Sequence, residues 1–387
     1  MTATRLVLIT RRFWPLMGGA EIVMARLAQS FQTQGHDVTI LTACWHEDWP
    51  MQVNHHGVRV IRLPQAATRW RGTWQYMRGL SRWLRSHRSE YDAVLVSMLK
   101  HDAFVAVGEG RAGDFPVVLR AEGAGITGDC HFQQTARFGS RIKRRCQQAA
   151  AVIAPATAVA KELEQAGYDS NRVKVIPNGV PIPDDLAARQ EARTSLAAIH
   201  CDMELAPNAP LVVFTGRLDA GKGLRELIQA WESIASAFPN ARLWLVGEGP
   251  LRDELFQRVR DAELVNSVRI PGTFDDVSDI LRAATVFVLP SHAEGLSLSL
   301  LEAMANERAV IASRVPGNQQ VVTHRENGLL VPPKNPAILA EALQEILEQP
   351  EQAAAYGQAA RQHVTQHFSL ETMAERHLAA IEATRNA

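Results

Sequence analysis

Leu289-Pro290-Ser291-His292-Ala293-Glu294-Gly295-Leu296-Ser297-Leu298-Ser299-Leu300-Leu301-Glu302 joins the end of an apolar strand to the start of a helix. The strand ends at Leu289, a turn containing Gly295 follows, and a helix begins near Ser297, with Ser297 or Ser299 able to cap its exposed N–H groups. A helix start at the end of a parallel strand is a ready anion site, because free N–H groups and the positive end of the helix dipole point outward. Glu294 precedes this helix and Glu302 lies about a turn and a half inside it, so the two carboxylates can address different parts of one extended ligand. Glu302 sits between Leu300-Leu301 and Ala303-Met304, an odd place for a solvated surface charge.

The same grammar recurs upstream. Phe214-Thr215-Gly216-Arg217-Leu218-Asp219-Ala220-Gly221-Lys222-Gly223-Leu224 again ends a strand, turns on glycines and opens a helix. An arginine fork and a lysine point charge five residues apart suit a diphosphate. Short runs rich in Val, Ile and Leu alternate with helical patterns through the whole chain. Strands are predicted at Leu6–Thr10, Val38–Leu41, Val58–Arg62, Ala93–Ser97, Val117–Arg120 and Ala151–Ala154, and again at Leu211–Phe214, Arg242–Val246, Val268–Pro271, Val286–Leu289, Val310–Ala312 and Leu329–Val331. Strands of that length separated by helices indicate an α/β architecture of doubly wound parallel sheets. Pro177-Asn178-Gly179-Val180-Pro181-Ile182-Pro183-Asp184-Asp185 is the best linker, dividing the chain into 1–180 and 181–365. A closing helix over about 366–387 is expected to pack back on the first domain. Two such domains would face each other across a cleft, with ligands at the carboxyl ends of strands.

The length of 387 residues suits two domains, and 46% hydrophobic content is near the globular average. Cys44, Cys130, Cys146 and Cys201 show no Cys-x-x-Cys spacing, which argues against a zinc site or disulfide framework and for a reducing, cytoplasmic setting. No apolar run reaches the ~18 residues of a membrane span. The 41 basic and 41 acidic residues cancel, but unevenly: 23 basic and 14 acidic residues fall within 1–180, so the first half carries +9 and the remainder −9. A basic first domain points to an anionic partner.

Glu294-x7-Glu302, the Gly216-Arg217…Lys222-Gly223 loop and Gly18-Gly19-Ala20-Glu21 together resemble the retaining glycosyltransferases of family 4. Supporting pieces are Gly35-His36-Asp37-Val38, Ile176-Pro177-Asn178-Gly179-Val180, Val246-Gly247-Glu248-Gly249-Pro250 and Asn327-Gly328-Leu329-Leu330-Val331-Pro332. The resemblance runs over nearly the whole chain and implies the GT-B fold, two Rossmann-like domains with the acceptor mainly on the first and the sugar nucleotide mainly on the second. It implies a donor of the UDP or GDP type, no further cofactor, a carbohydrate or lipid-linked acceptor, and a role in cell-surface, exopolysaccharide or glycolipid assembly. By that resemblance Arg217 and Lys222 hold the donor diphosphate, Glu302 the ribose hydroxyls and Glu294 the transferred sugar. The backbone of Gly295, Leu296 and Ser297 and the Gly18-Gly19 loop lie near the phosphates, and Gly247 and Ile270 flank the base. Arg, Lys and helix N-termini stabilise a leaving diphosphate without a metal, and no Asp-x-Asp triplet occurs. Family members often carry a histidine after the strand that here reads Val117–Arg120. Glu122, in Ala121-Glu122-Gly123-Ala124-Gly125, takes that place, or the role has moved to His101. Pro316-Gly317-Asn318-Gln319-Gln320 carries an amide where the family's loop has an acid.

Residues 70–88 form a basic, tryptophan-rich helix. Arg71, Arg78, Arg82 and Arg85 make one stripe, with Trp74, Met77, Leu80, Trp83 and Leu84 expected on the other side. Arg141-Ile142-Lys143-Arg144-Arg145 adds to the same domain. Such a helix suits an anionic membrane interface; the alternative is an ordinary amphipathic helix packed on its own sheet. Nucleic acid is not expected, since no recognised binding pattern accompanies the charge. Two other functions remain in view. A nicotinamide-dependent oxidoreductase needs Gly-x-Gly-x-x-Gly, and Gly247-Glu248-Gly249-Pro250-Leu251-Arg252 lacks the third glycine. A glycosyltransferase-like subunit that binds without transferring is kept open by Glu122 and Gln320.

Overall fold

Strands whose residues are buried on both faces need helices above and below, and that requirement builds each half of the chain. The structure, a computed structural model, describes residues 3–385 except 124, 126, 127, 185, 187, 188, 200–202, 207 and 275. Cys201, Ala124, Asp185 and the last two residues of the closing helix therefore lie outside the described residues. The chain divides into two compact units, one of Met1–Gly179 with Leu370–Ala387 and one of Val180–Ser369.

Unit 1 contains β1 (Arg5–Ile9), α1 (Gly19–Thr33), β2 (Asp37–Ala43), β3 (Gln52–His55), β4 (Val58–Leu63), α2 (Arg69–Ser86), β5 (Ala93–Ser97), α3 (His101–Gly113), β6 (Val117–Arg120), α4 (Asp129–Thr135), α5 (Gly139–Cys146), β7 (Ala151–Ala154), α6 (Thr157–Gln165) and β8 (Val173–Val175). Its eight strands run in the order β3-β4-β2-β1-β5-β6-β7-β8. All pairings are parallel except β3 with β4. The two strands without a sequence signal are the edges. Gln52-Val53-Asn54-His55 is polar and half exposed, and Val173–Val175 is three partly exposed residues, so neither forms an apolar run.

Unit 2 contains α7 (Arg189–Ile199), β9 (Leu211–Thr215), α8 (Leu224–Ile234), β10 (Arg242–Val246), α9 (Arg252–Asp261), β11 (Val268–Gly272), α10 (Ser278–Ala283), β12 (Val286–Leu289), α11 (Leu298–Ala305), β13 (Ala309–Ser313), α12 (Pro316–Gln319), β14 (Leu329–Val331), α13 (Pro336–Glu348) and α14 (Pro350–His367). Its sheet is wholly parallel, in the order β11-β10-β9-β12-β13-β14. Between α14 and α15 (Leu370–Arg385), Phe368 accepts a hydrogen bond from the Val180 N–H at 2.9 Å and Ser369 bridges Val180, so the two chain crossings between units run side by side.

Helix α2 differs from its expected pattern. Tyr76, Leu80 and Leu84 are fully buried, an i, i+4, i+8 stripe, while Trp74 is 60% exposed and stacks against the Arg78 guanidinium at 4.5 Å. At 100° per residue Trp74 falls nearly opposite Tyr76, so it belongs to the arginine face.

Helix α15 places His377, which has no exposed surface, beside Arg120 at the end of β6. Burial first, and then the Arg120 charge, push its imidazole down to about 3. A histidine in the unfolded chain titrates near ~6.5. Below that value the unfolded chain takes up a proton that the folded chain refuses, so stability falls as the pH drops from about 6.5 towards 3. His377→Gln removes this linkage: its melting temperature is expected to fall less than that of the parent chain between about pH 7 and pH 5 in scanning calorimetry. Parallel slopes would contradict the assignment.

Candidate active site

In unit 2 the carboxyl ends of β9, β10, β12 and β13 carry four loops, and two glycines let neighbouring ones touch. Gly247, in the turn after β10, has φ +144°, and a Cβ there would lie 1.9 Å from the Gly216 carbonyl oxygen after β9. Gly317, in the first turn of α12, would place a Cβ 1.7 Å from the Gly295 oxygen and 2.5 Å from that of Glu294. Any side chain at 317 would therefore displace the loop that carries Glu294. The Asn318 amide donates to the Ser313 carbonyl at 2.9 Å, and the Ser313 hydroxyl donates to the Ser291 carbonyl at 2.5 Å, which fixes the same loop from below.

Two charges meet on this frame. Lys222 Nζ donates to Glu294 Oε1 at 2.5 Å, and the Ser291 hydroxyl donates to the same oxygen at 2.6 Å. Among the described residues no hydrogen bond engages Glu294 Oε2. The His292 N–H donates to the Gly221 carbonyl at 2.8 Å, and its ring contacts Glu226 at 2.9 Å, so the loops after β9 and β12 are tied twice more. Arg217 is exposed at the same strand end, with no ion pair among the described residues. Ser297 caps α11, its hydroxyl accepting the Leu300 N–H at 3.4 Å, and Glu302 is half-buried one turn further on. Leu296 is buried, and Ile270 lies buried in β11. Thus Arg217, Lys222, Gly247, Glu294, Gly295, Leu296 and Ser297 sit on the strand-end loops, Glu302 in α11 and Ile270 in the edge strand. Gly18 and Gly19 belong to unit 1, as the N-cap and first residue of α1.

Unit 1 builds its own polar cluster at the ends of β5 and β6. The Ser97 hydroxyl donates to Glu122 Oε1 at 2.9 Å, and Arg120 Nη1 donates to Oε2. Arg120 is fully buried, and its other terminal nitrogen donates to Asn178 Oδ1. Asp129 accepts the N–H groups of Leu99 at 3.1 Å and Glu122 at 3.0 Å, stapling the two loops; burial pushes its carboxyl up. The Glu21 carboxyl is pushed up by burial, with Glu122 adding to the rise and Arg12 opposing it. His101 opens α3 outside this network: its ring meets Phe132 edge-on at 5.7 Å, and burial, then Arg11 and Lys100, hold its imidazole below the usual range. Each Glu122 carboxylate oxygen accepts one donor, and His101 is not tied to it.

Ser97, Arg120, Asp129, Asn178 and Ser291 are the residues that the sequence pattern does not single out. Arg120 had a legible signal, a charge closing the apolar run Val117-Val118-Leu119. Asp129 had none, because its partners are backbone N–H groups of distant loops.

The family described as "Glycosyltransferase Family 4" matches residues 17–182, and that described as "Glycosyl transferases group 1" matches residues 199–363. The alpha-maltose-1-phosphate synthase of Mycolicibacterium smegmatis is 32% identical over 62% of this chain and 65% of its own length. A putative teichuronic acid biosynthesis glycosyltransferase of Bacillus subtilis is 29% identical over 71% of this chain and 69% of its own. Against the mycobacterial synthases the matched region spans between 40 and 65% of the relative's length. Among solved structures, sucrose-phosphate synthase from Thermosynechococcus elongatus shares the fold at TM-score 0.81, with 24% identity and 98% of both chains covered. Anabaena HepE, solved in complex with UDP and glucose, shares it at TM-score 0.80, with 21% identity over 98% of this chain and all of that one. Two parallel-sheet units, matched in chain order by these two glycosyltransferase families, make this chain a family 4 glycosyltransferase of the GT-B fold.

Proposed function

We propose that this chain transfers a sugar from a nucleoside diphosphate, of the UDP or GDP type, to a hydroxyl of a carbohydrate or lipid-linked acceptor. The transfer keeps the anomeric configuration and uses no metal. Its setting is cell-surface or exopolysaccharide assembly on the cytoplasmic side of a membrane. The observation that carries this reading is the meeting of Lys222 and Glu294 on interlocked strand-end loops beside Arg217 and the start of α11. A nucleoside-diphosphate sugar needs cations for its phosphates and a carboxylate for its hydroxyls within one ligand length. The solved relative that holds UDP and glucose supports the UDP type, and the teichuronic acid relative supports polymer assembly.

In this mechanism Arg217 binds the diphosphate as a fork, and Lys222 turns from Glu294 towards the phosphates as the donor enters. Glu294 then accepts a hydroxyl of the transferred sugar, and Glu302 accepts the ribose hydroxyls. The bond from the anomeric carbon to the phosphate oxygen breaks as the acceptor oxygen approaches on the same face. The acceptor proton passes to the departing phosphate oxygen, so the diphosphate serves as base and leaving group together. Negative charge grows on that oxygen in the transition state, where Arg217, Lys222 and the N–H groups at Ser297 lower its energy. Glu122, held by Arg120 and Ser97, receives a hydroxyl of donor or acceptor.

Lys222→Met is expected to lower kcat/KM by roughly 10²–10³, the usual loss when one stabilising group of a developing anion is removed. Glu294→Gln should lower kcat while leaving nucleoside diphosphate affinity near that of the parent chain; release of the diphosphate over time measures both. Unchanged turnover in either variant would overturn the site.

Activity is expected to persist in excess chelator, and proton NMR of the product should show the donor's anomeric configuration. Loss in chelator that Mg²⁺ or Mn²⁺ restores, or an inverted product, would contradict the mechanism. A chain that binds donor and never turns over would return the non-transferring reading.

A further inference from the structure

Helices α2, α3 and α5 cover one face of the unit 1 sheet. Tyr76, Leu80 and Leu84 of α2, Ala103 and Ala106 of α3, and Ile142 and Cys146 of α5 share one core with alternate strand residues such as Val94 and Val96. Neighbouring helices are stitched together: Ser81 and Arg85 of α2 both hydrogen-bond Glu109 of α3, and the Arg145 guanidinium of α5 lies 4.8 Å from the Phe104 ring of α3. Their outer sides therefore form one continuous surface.

That surface is cationic. Arg71, Arg78 and Arg82 of α2 and Arg141 and Arg144 of α5 are exposed, and none has an ion-pair partner among the described residues. The only acids in the three helices are Asp102, which is buried, and Glu109, which Arg85 holds at 2.7 Å. Between α3 and α5 a cavity of about 300 Å³ is lined by Phe104, Arg111, Arg141, Arg144, Arg145 and Gln148. Arg111 is braced there by Gln148 at 2.5 Å. Large aromatic side chains stand out of the same surface: Trp70 is 63% exposed, Trp74 60% and Phe138 44%, with Arg78 against Trp74 and Arg141 at 5.9 Å from Phe138.

Unpaired arginines explain attraction to any polyanion, but exposed indoles and a phenyl ring among them need a partner with an apolar layer behind its charge. We infer that this face of unit 1 docks on an anionic lipid bilayer. The four-arginine groove takes a headgroup phosphate through guanidinium forks, and Trp70, Trp74 and Phe138 enter the interfacial region where amphipathic rings are stable. The inference rests on the reading of a transferase working beside a membrane, and it assigns which surface makes the contact and which group seats the lipid phosphate.

The test is sedimentation of the full chain with vesicles of phosphatidylcholine alone and of phosphatidylcholine containing about 30% phosphatidylglycerol. The chain should sediment with the anionic vesicles only, with a blue shift of tryptophan fluorescence. Each arginine near an anionic surface contributes roughly fivefold in affinity, so Arg141→Glu with Arg144→Glu should weaken binding at least tenfold. Trp70→Ser with Trp74→Ser should weaken it and remove most of the blue shift. Nucleoside diphosphate binding by unit 2 should be unchanged in both variants, which separates failure of this inference from failure of the donor site. Equal sedimentation with neutral vesicles, undiminished binding in the arginine variant, or full competition by inorganic polyphosphate with no effect of the tryptophan changes would overturn it.

Discussion

Lys222 and Glu294 can meet only because the backbone loops beneath them lie in direct contact. Gly223, next to Lys222, packs against the Pro290 carbonyl, where a Cβ would lie 2.1 Å from the oxygen, and Gly317 packs its Cα against the Glu294 and Gly295 carbonyls at distances no side chain would tolerate. The ion pair is thus a consequence of sheet order: β9 and β12 are neighbours, β10 lies on the other side of β9, and β13 beyond β12 supplies Ser313 and the turn into α12. A parallel sheet brings all four carboxyl ends to one edge, so residues more than a hundred positions apart, 216 and 317, frame one site.

The two units use charge differently. In unit 2 Arg217 and Lys222 stand on one strand-end loop, with Lys222 paired to Glu294 across to the next. In unit 1 the cation at the strand end, Arg120, is buried and spent on Glu122 and Asn178, and Arg71, Arg78, Arg82, Arg141 and Arg144 stand exposed on outer helical faces. Asn178 immediately precedes the crossing into unit 2, and His377, whose charging Arg120 opposes, follows the crossing back. Arg120 therefore connects the polar cluster around Glu122 with the unit 1 side of both chain crossings.

Much of this was legible in the residues. The interior strands were visible because burial on both faces forces continuous Val, Ile and Leu runs. The edge strands β3 and β8 were not, because an edge needs no such run. The loops bearing Arg217, Lys222 and Glu294 could be read from glycines and charges at strand ends. Their direct pairing could not, since it depends on which strands are neighbours. Trp74 departs from its expected side for a similar reason: a helix with apolar residues on several sides has more than one stripe, and only packing decides that Tyr76, Leu80 and Leu84 turn inward. Asp129 and Ser97 act by hydrogen bonds across loops, which leave no trace in local sequence.

The central claim is that the loops after β9 and β12 form a nucleoside diphosphate site. Calorimetric titration of the purified chain with UDP, GDP and ADP in the presence of a chelator tests it most directly. The account predicts saturable binding of one of the three at a single site, with the heat lost in Arg217→Ala. Absence of binding by every diphosphate at millimolar concentration, in a chain whose thermal unfolding is cooperative, would contradict it.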